Sequence, residues 1–214
     1  IFDEASQITL PLAVMGMLAG RKFIFIGDQR QLPPVLTTRL SGGAFRDSVF
    51  GSLVERGYDT MLTETYRLSS KLADWSSRHF YEGELTPAPR VAGWRVAYPR
   101  PPSRLMDILD PDEPKVFWDL GHRNTTTRSY KEADAVVDLI ATLLACGFPP
   151  KEMAVVVPYR AQARQIRNLL RRLVPDGAIY REIVVDTVER MQGQECDLVI
   201  VSLTTSNPAF AANL

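Results

Sequence analysis

The chain has 214 residues, of which 45% are hydrophobic and 23% are charged, a composition typical of a globular protein with a buried core. Its 25 Lys and Arg residues balance its 25 Asp and Glu residues, so the net charge is zero. This balance excludes a uniformly basic nucleic-acid-binding surface but allows a local basic groove. The length permits one large domain or two small ones.

The cysteine usage and the apolar runs restrict the class of protein further. Cys146 and Cys196 are far apart in the sequence, which predicts no disulfide framework and favours a reduced, intracellular compartment, either the cytoplasm or the nucleoid or nucleus. No apolar run reaches the length of a membrane span, so no membrane association is expected. Because Ile1 is not a natural start, we interpret the chain as an excerpt from a longer protein.

Short continuous apolar runs predict buried strands. In chain order they occupy residues 23–26, 115–118 (the weakest), 153–157, 183–185 and 198–201. Such runs lack polar alternation, as is typical of strands buried on both faces of a parallel sheet.

Helical spacing of apolar residues lies between these runs, over residues 72–80, 133–144 and 166–173. Strands that alternate with helices predict an α/β fold with a parallel sheet flanked by helices. We place a boundary near residues 59–62, which divides the chain into 1–60 and 61–214.

Residues 87–114 contain seven of the fifteen prolines. Proline lacks an N–H donor and disfavours helix continuation, so this stretch is predicted to be an irregular excursion over the surface of the second part. A domain linker is the alternative.

The first candidate site is Asp3-Glu4, directly after an apolar segment. Asp3 could supply the hard oxygen ligand that nucleotide-bound magnesium needs. Glu4 could orient and deprotonate a water that attacks a γ-phosphate. For this dipeptide alone, a solvated turn or a helix N-terminus is the more common explanation.

The second candidate is the segment 27–34, which follows the run 23–26. Gly27 permits a sharp turn, and Pro33 and Pro34 stiffen the exit. Gln31 is a neutral donor and acceptor that suits sensing of a γ-phosphate. A plain strand-to-loop turn is the alternative.

The third candidate is Tyr66-Arg67, near the predicted boundary. Arg67 could reach phosphates as an arginine finger, and Tyr66 could stack on a base. A salt bridge between lobes and a packed tyrosine explain these two residues equally well.

Two further polar segments follow predicted strands. Pro158 and Tyr159 end the run 153–157 and lead into a helix with Arg164, Arg167 and Arg171, which suits a phosphate backbone. A solvated surface is the alternative for the arginines. The segment 186–197 gathers hydroxyl, amide, glycine and carboxylate groups, so it could contact both nucleic acid and nucleotide. A polar loop before the next strand is the alternative.

Taken together and in this order, the segments resemble the motifs of superfamily 1 helicases, in the branch that contains the nonsense-mediated-decay RNA helicase and related DNA helicase-nucleases. The matching segments are motif II or Walker B (3–7), motif III (27–34), the start of the second lobe (65–67), motif IV (157–162) and motif V (187–197). The resemblance implies a RecA-like P-loop NTPase fold. Residues 1–60 would be the C-terminal part of the first lobe, and 61–214 most of the second.

The resemblance also implies a role for each matching residue, with ATP and Mg²⁺ as the bound groups. Asp3 would hold magnesium, Glu4 would activate water, Gln31 would contact the γ-phosphate and Arg67 would be a finger. The other implied nucleotide contacts are Tyr66, Gln192, Gly193 and Glu195. The implied contacts with nucleic acid are Pro33, Pro158, Tyr159 and Thr187.

The implied function is ATP-dependent movement of the parent protein along single-stranded DNA or RNA, in the 5′ to 3′ direction. No Gly-Lys dipeptide occurs in the sequence, so the Walker A loop is absent, and we expect the chain alone to be inactive as an ATPase. A non-catalytic nucleic-acid-binding or scaffold module on a helicase-like fold is the main alternative. An ATPase of the same fold that remodels protein is another.

Overall fold

The computed structural model describes residues 1–34, 48–174 and 177–211. These residues form two compact units, one from Ile1–Tyr66 and Ala73–Ala88 and the other from Arg67–Leu72 and Pro89–Leu214. This grouping assigns residues 61–66 and 73–88 to the first unit, whereas the boundary near residues 59–62 assigns them to the second. A compact unit need not coincide with a lobe, so the lobe boundary stays a prediction.

The first unit contains short elements. They are a 3₁₀ turn (Ala5–Gln7), α1 (Leu10–Met17), α2 (Val49–Val54), and the parallel strands β1 (Glu64–Thr65) and β2 (Thr86–Pro87). Helix α3 (Ser70–Phe80) confirms the predicted helix over 72–80 and carries the chain into Ala73–Ala88.

Residues 23–26 do not form the predicted extended strand. Only an isolated parallel bridge joins Phe2 to Phe25, with Phe2 N–H donating to Ile24 O and Ile26 N–H donating to Phe2 O, both at 2.8 Å. Ile24 and Ile26 are exposed. A ladder needs a partner along its length, and within the described ranges Phe2 is the one paired neighbour of this run.

The second unit alternates helices with parallel strands. Its elements are α4 (Pro89–Ala92), α5 (Tyr130–Ala145), β3 (Met153–Val157), α6 (Arg160–Leu173), α7 (Gly177–Glu182), β4 (Val184–Thr187), α8 (Val188–Met191), β5 (Leu198–Val201) and α9 (Pro208–Ala211). The three strands form a parallel sheet in the order β4-β3-β5. The α/β class with a parallel sheet is therefore confirmed.

Burial differs between the strands of this sheet. Strand β3 is buried as predicted, with Met153, Val155 and Val157 fully inaccessible. Strand β5 has the predicted bounds, but Val199 and Val201 are about half exposed because they lie on the face opposite the core. The prediction of burial on both faces is therefore wrong for β5.

Two other strand predictions also change. The run 183–185 becomes β4, which is shifted to Val184–Thr187. The run 115–118 forms no strand, and its Phe117 is 80% exposed. An apolar run becomes a strand only where a neighbouring strand pairs with it, and this one has no such neighbour in the described part of the chain.

The proline-rich stretch is irregular apart from α4, as predicted, but it is more than a surface excursion. Leu109 is buried in the core of the second unit, and the Tyr98 ring packs against Phe148 with centroids 6.0 Å apart. Because its apolar side chains belong to this core, the stretch does not behave as a linker. Among the described residues, no helix is long and apolar enough to span a membrane.

A buried polar network joins the starts of α5 and α6 to the end of β5. The Gln162 side chain accepts from Ser129 N–H at 2.9 Å and donates to Ser129 O at 3.0 Å and Ser202 Oγ at 3.1 Å. The Glu132 carboxylate accepts from Ser202 Oγ, Thr204 N–H and the nearby His122 Nε2 at 2.9 Å or less. Buried polar groups are costly without partners, so these bonds hold the three segments in one arrangement.

Gln162→Leu tests this network. We expect a loss of about 2–4 kcal/mol of unfolding free energy, because the peptide groups of Ser129 lose their partner in a dry environment. Urea denaturation measures the change. Gln165→Leu, on the same helix but partly exposed, is the matched control and should stay within about 0.5 kcal/mol. Equal losses in the two variants would contradict this assignment.

Candidate functional site

Two polar turns of the first unit begin at the same edge of a pair of parallel backbone segments. Phe2 pairs in parallel with Phe25, and Ala5 N–H donates to Ile26 O at 2.8 Å. Parallel pairing sends both chains out on the same side, so Asp3 and Glu4 lie beside the turn that begins at Gly27. This is the edge where open α/β sheets bind ligands.

Glu4 has an unusual backbone conformation. Its φ of 50° and ψ of 40° are left-handed, which costs a non-glycine residue about 1–2 kcal/mol. Asp3 Oδ1 accepts from Glu4 N–H at 2.9 Å, and Gln7 Nε2 donates to Glu4 Oε2 at 3.3 Å. Both carboxylates are exposed. Backbone strain of this kind clusters at functional sites, where it presents a side chain in a fixed direction.

Gly27 allows the second turn to approach the first. A Cβ at this position would lie 2.8 Å from Ser6 N and 3.1 Å from Ala5 N, which are backbone atoms that cannot move aside cheaply. The Ser6 hydroxyl is buried in this contact and has no hydrogen-bond partner in the described ranges. A glycine is therefore required here by space.

The predicted phosphate sensor, Gln31, is held by hydrogen bonds. Its Nε2 donates to Asp28 Oδ2 at 2.9 Å, and the Tyr81 hydroxyl donates to the same oxygen at 2.6 Å. Arg30 N–H donates to Asp28 Oδ1 at 2.9 Å. Burial and the hydrogen bond to Asp28 raise the pKa of Tyr81 to about 12. Asp28 lies in the predicted segment 27–34 but had no role assigned, and Tyr81 was absent from the predicted site, because no local signal links residues 53 positions apart.

Arg67 and Glu195, both predicted as nucleotide contacts, meet within the second unit. Arg67 Nε donates to Glu195 Oε1 at 2.6 Å, and Arg67 Nη2 contacts the same oxygen. Both side chains are mostly exposed. The salt bridge considered for Arg67 is thus formed, but within one unit. The Tyr66 side chain is 53% exposed, and its hydroxyl donates to Glu64 at 2.8 Å.

The strand ends of the second unit bring two more predicted segments together. Val157 pairs with Thr187, so Pro158 and Tyr159 leave β3 beside the end of β4. The Tyr159 ring packs 5.8 Å from Phe210, and its hydroxyl is buried without a partner among the residues described. Thr187 is only 5% exposed, so its side chain does not form an open contact surface.

The arginine face of α6 is largely engaged. Arg167 Nε donates to Val185 O at 3.0 Å, and its Nη2 lies 3.5 Å from Asp186 Oδ1. Arg171 lies over the Tyr180 ring, 5.3 Å from its centroid. These contacts tie α6 to neighbouring elements, and Arg164 is exposed. Arg167 is therefore not a simple solvated residue, whereas Arg171 is exposed, as the solvated-surface alternative predicts.

The loop after α8 combines a glycine turn with an unpaired amide. Gly193 has φ +79°, a conformation that favours glycine. In the first unit, the predicted nucleic-acid contact Pro33 is exposed. Gln192 Nε2 is buried with no partner in the part of the chain that the structure describes. An unsatisfied buried donor is costly, so this amide also has a hydrogen bond left to make with a ligand or a water.

The acidic residues fit magnesium only in the form bound to a nucleotide. Among the described residues, no three His, Cys, Asp or Glu side chains form a group that could hold a metal by themselves. Magnesium bound to phosphates needs only one or two protein carboxylates and keeps several waters. Asp3, exposed beside the unpaired Ser6 hydroxyl, meets that need.

Comparison with known families gives one match for the chain. The family profile described as "AAA domain" matches residues 45–213, more than half of the chain. This range includes the second unit and Arg67.

Individual relatives carry consistent names. The mouse protein "DNA replication ATP-dependent helicase/nuclease DNA2" is 30% identical over 97% of this chain, and the human protein of that name is 28% identical over 97%. The Neurospora crassa "Regulator of nonsense transcripts 1 homolog" is 28% identical over 97%. The chain spans about one fifth of the length of these relatives, 21%, 21% and 19%.

Gly27→Ala tests the close contact between the two turns of the first unit. The added methyl would lie 2.8 Å from Ser6 N, and we expect a loss of about 1–3 kcal/mol in unfolding free energy as the turn at Asp3-Glu4 is displaced. Chemical denaturation measures this. Gly93→Ala is the control, because nothing lies within 4 Å of its added Cβ. If Gly27→Ala were as harmless as Gly93→Ala, the described packing would be incorrect.

Proposed function

The chain belongs to the AAA domain family, within the superfamily 1 helicases, and from this premise we propose that it is part of a motor that couples ATP hydrolysis to movement along single-stranded DNA or RNA. The observation that carries the proposal is the shared edge of Asp3-Glu4 and the Gly27 turn, where Ala5 N–H bonds Ile26 O at 2.8 Å. At this edge, the acidic residues and the turn that carries the Gln31 amide both follow parallel segments. Phosphoryl transfer requires acidic and amide groups near the phosphates.

In this proposal the carboxylates have separate tasks. Asp3 would hold Mg²⁺ together with the nucleotide, and the bound ion would neutralise negative charge on the β- and γ-phosphates. Glu4 would orient the attacking water and accept its proton. The strained, left-handed backbone of Glu4, whose N–H donates to Asp3 Oδ1 at 2.9 Å, supports a functional role for this pair.

Arg67 would stabilise the charge that develops during phosphoryl transfer. Its guanidinium is already oriented by Glu195, through a bond of 2.6 Å from Nε to Oε1. We propose that Glu195 holds Arg67 ready and contributes to the nucleotide site itself. Tyr66, with half of its side chain exposed, would stack near the adenine, and Gln192 and Gly193 would couple nucleotide binding to the grip on the strand.

The nucleic-acid track is proposed at Pro33, Pro158, Tyr159 and Thr187. The adjacent ends of β3 and β4 support this, because Val157 pairs with Thr187. Since Thr187 is buried, its proposed contribution is to fix the strand end from which Pro158 and Tyr159 can contact a phosphate backbone.

In the proposed working cycle, two RecA-like lobes close and reopen about a hinge. Residues 1–60 would belong to the first lobe, and residues 61–214 to the second. ATP would favour the closed state and hydrolysis the open one. An intracellular location completes the proposal, supported by the two free cysteines.

Glu4→Gln in the full-length protein tests the catalytic assignment. We expect nucleic-acid-stimulated ATP turnover to fall by at least about a hundredfold, while ATP still binds, because the amide cannot accept a proton. Steady-state ATPase assays and equilibrium nucleotide binding measure the two effects. Glu55→Gln, an exposed position of the same unit, is the matched control and should keep full turnover.

Undiminished turnover in Glu4→Gln would refute the assignment of the base. A wild-type protein that binds nucleic acid but shows no turnover would instead support the scaffold alternative. Turnover that single-stranded DNA and RNA fail to stimulate would favour a protein-remodelling ATPase.

The direction of movement has a separate test. We expect the full-length protein to unwind duplexes with a 5′ single-stranded tail and to leave those with a 3′ tail intact. Parallel assays on DNA and RNA substrates of equal sequence measure polarity and substrate preference together. Unwinding only from 3′ tails would overturn the proposed 5′ to 3′ direction.

A further inference from the structure

We propose that Asp28 and Tyr81 are positioning residues that fix the side-chain amide of Gln31 for its contact with the γ-phosphate. The inference rests on the proposed function, since it assigns these residues a task only if Gln31 senses the nucleotide. It extends the site to a segment 53 residues away from Asp28 in sequence, which no motif includes. All three residues lie in the first unit.

The chemistry of Asp28 determines which end of the Gln31 amide faces it. An ionised carboxylate only accepts hydrogen bonds, whereas an amide has a donor end and an acceptor end. Gln31 Nε2 therefore points at Asp28 Oδ2, 2.9 Å away. One N–H is used in this bond, and the Gln31 side chain also hydrogen-bonds Tyr81. A flipped amide would bring two acceptors together, so Asp28 selects the orientation that can donate to phosphate.

Tyr81 fixes the carboxylate that makes this selection. Its hydroxyl must be the donor, because Asp28 Oδ2 can only accept, and the 2.6 Å distance is that of a charge-assisted bond. Arg30 N–H binds the other oxygen, Oδ1, at 2.9 Å. With donors on both oxygens the carboxylate cannot rotate freely, and Oδ2 is kept in place for Gln31.

The Tyr81 hydroxyl remains a donor across the working pH range. Its pKa is raised to about 12, first by burial and then by its hydrogen bond to Asp28, so the phenol is neutral near pH 7. The stabilisation from this bond is complete below the ordinary tyrosine pKa of about 10 and is lost as the pH rises through the folded-state value. Ionisation therefore does not release Gln31 under physiological conditions.

Tyr81 could instead fasten the turn without any effect on the nucleotide, and a double-mutant cycle separates the two roles. The variants are Gln31→Ala, Tyr81→Phe and their combination in the full-length protein. Tyr58→Phe is the matched control, because Tyr58 belongs to the same unit and is 80% exposed. The readout is the equilibrium preference for a non-hydrolysable ATP analogue over ADP, with thermal unfolding of every variant measured in parallel.

We expect Gln31→Ala to lower this preference by about tenfold, the scale of one lost charge-assisted hydrogen bond. Tyr81→Phe should lower it about three- to tenfold. The double variant should lose no more than Gln31→Ala alone, because Tyr81 acts through Gln31. Tyr58→Phe should keep the wild-type preference.

The other outcomes overturn the inference in distinguishable ways. If Gln31→Ala loses preference but Tyr81→Phe keeps it, or if their losses multiply, the positioning role is wrong and the proposed motor stands. If Gln31→Ala itself changes nothing, the sensor assignment fails as well. Should Tyr81→Phe not fold, Asp28→Asn replaces it in the same cycle, since an asparagine has a single acceptor oxygen and cannot accept both from Arg30 N–H on one side and from Tyr81 and Gln31 on the other.

Discussion

Parallel pairing of backbone segments is the constraint on which the candidate site depends. In the second unit, β3 pairs with β4 up to Val157 and Thr187, and with β5 up to Val156 and Val201. Parallel strands all end at the same edge, so the polar segments that follow them must gather there. The single bridge between Phe2 and Phe25 has the same consequence in the first unit. The shared edge therefore brings together residues that are distant in the sequence of each unit.

Burial decides which polar groups at these edges are structural. Gln162 is fully buried, and each of its bonds to Ser129 and Ser202 replaces one that water would otherwise make. Gln162 lies in the segment that matches motif IV, yet its side chain stabilises the fold. By contrast, the buried atoms Ser6 Oγ, Tyr159 Oη and Gln192 Nε2 have no partner in the described ranges, and all three lie in motif segments. Unsatisfied groups concentrate where a ligand is proposed.

Hydrophobic periodicity explains why much of the second unit could be predicted. The apolar stripes of α5 and α6 and the run in β3 correspond to one buried core, so the pattern and the structure report the same burial. The runs at 23–26 and 115–118 misled for a physical reason. An apolar run indicates a preference for burial, but a strand also requires a neighbour at hydrogen-bonding distance, which the run itself does not encode.

The site was predictable to the extent that its residues lie in local motifs. The sequence identifies Asp3, Glu4 and Gln31 because each lies only a few residues after an apolar run, and this spacing can be read from the sequence directly. The resemblance assigned both Arg67 and Glu195 to the nucleotide site, but it did not predict that these residues, 128 positions apart, pair with each other. The bond from Tyr81 to Asp28 had no such guide, because a tyrosine after an amphipathic helix has no distinguishing neighbours. Long-range hydrogen bonds depend on tertiary packing, which residue spacing does not report.

The polar contacts of the site differ in how easily they can be exchanged, and the proposed motor needs both kinds. The Arg67–Glu195 pair is exposed on both sides, so it contributes little to stability and is cheap to break. In the proposed motor, a phosphate would compete with Glu195 for the Arg67 guanidinium. Asp28 instead accepts from Tyr81, Gln31 and Arg30 N–H at 2.6–2.9 Å, so releasing it would break several bonds at once. In the proposed motor, the fixed amide of Gln31 would read the nucleotide and Arg67 would respond to it, which are the two elements that a nucleotide-driven switch requires.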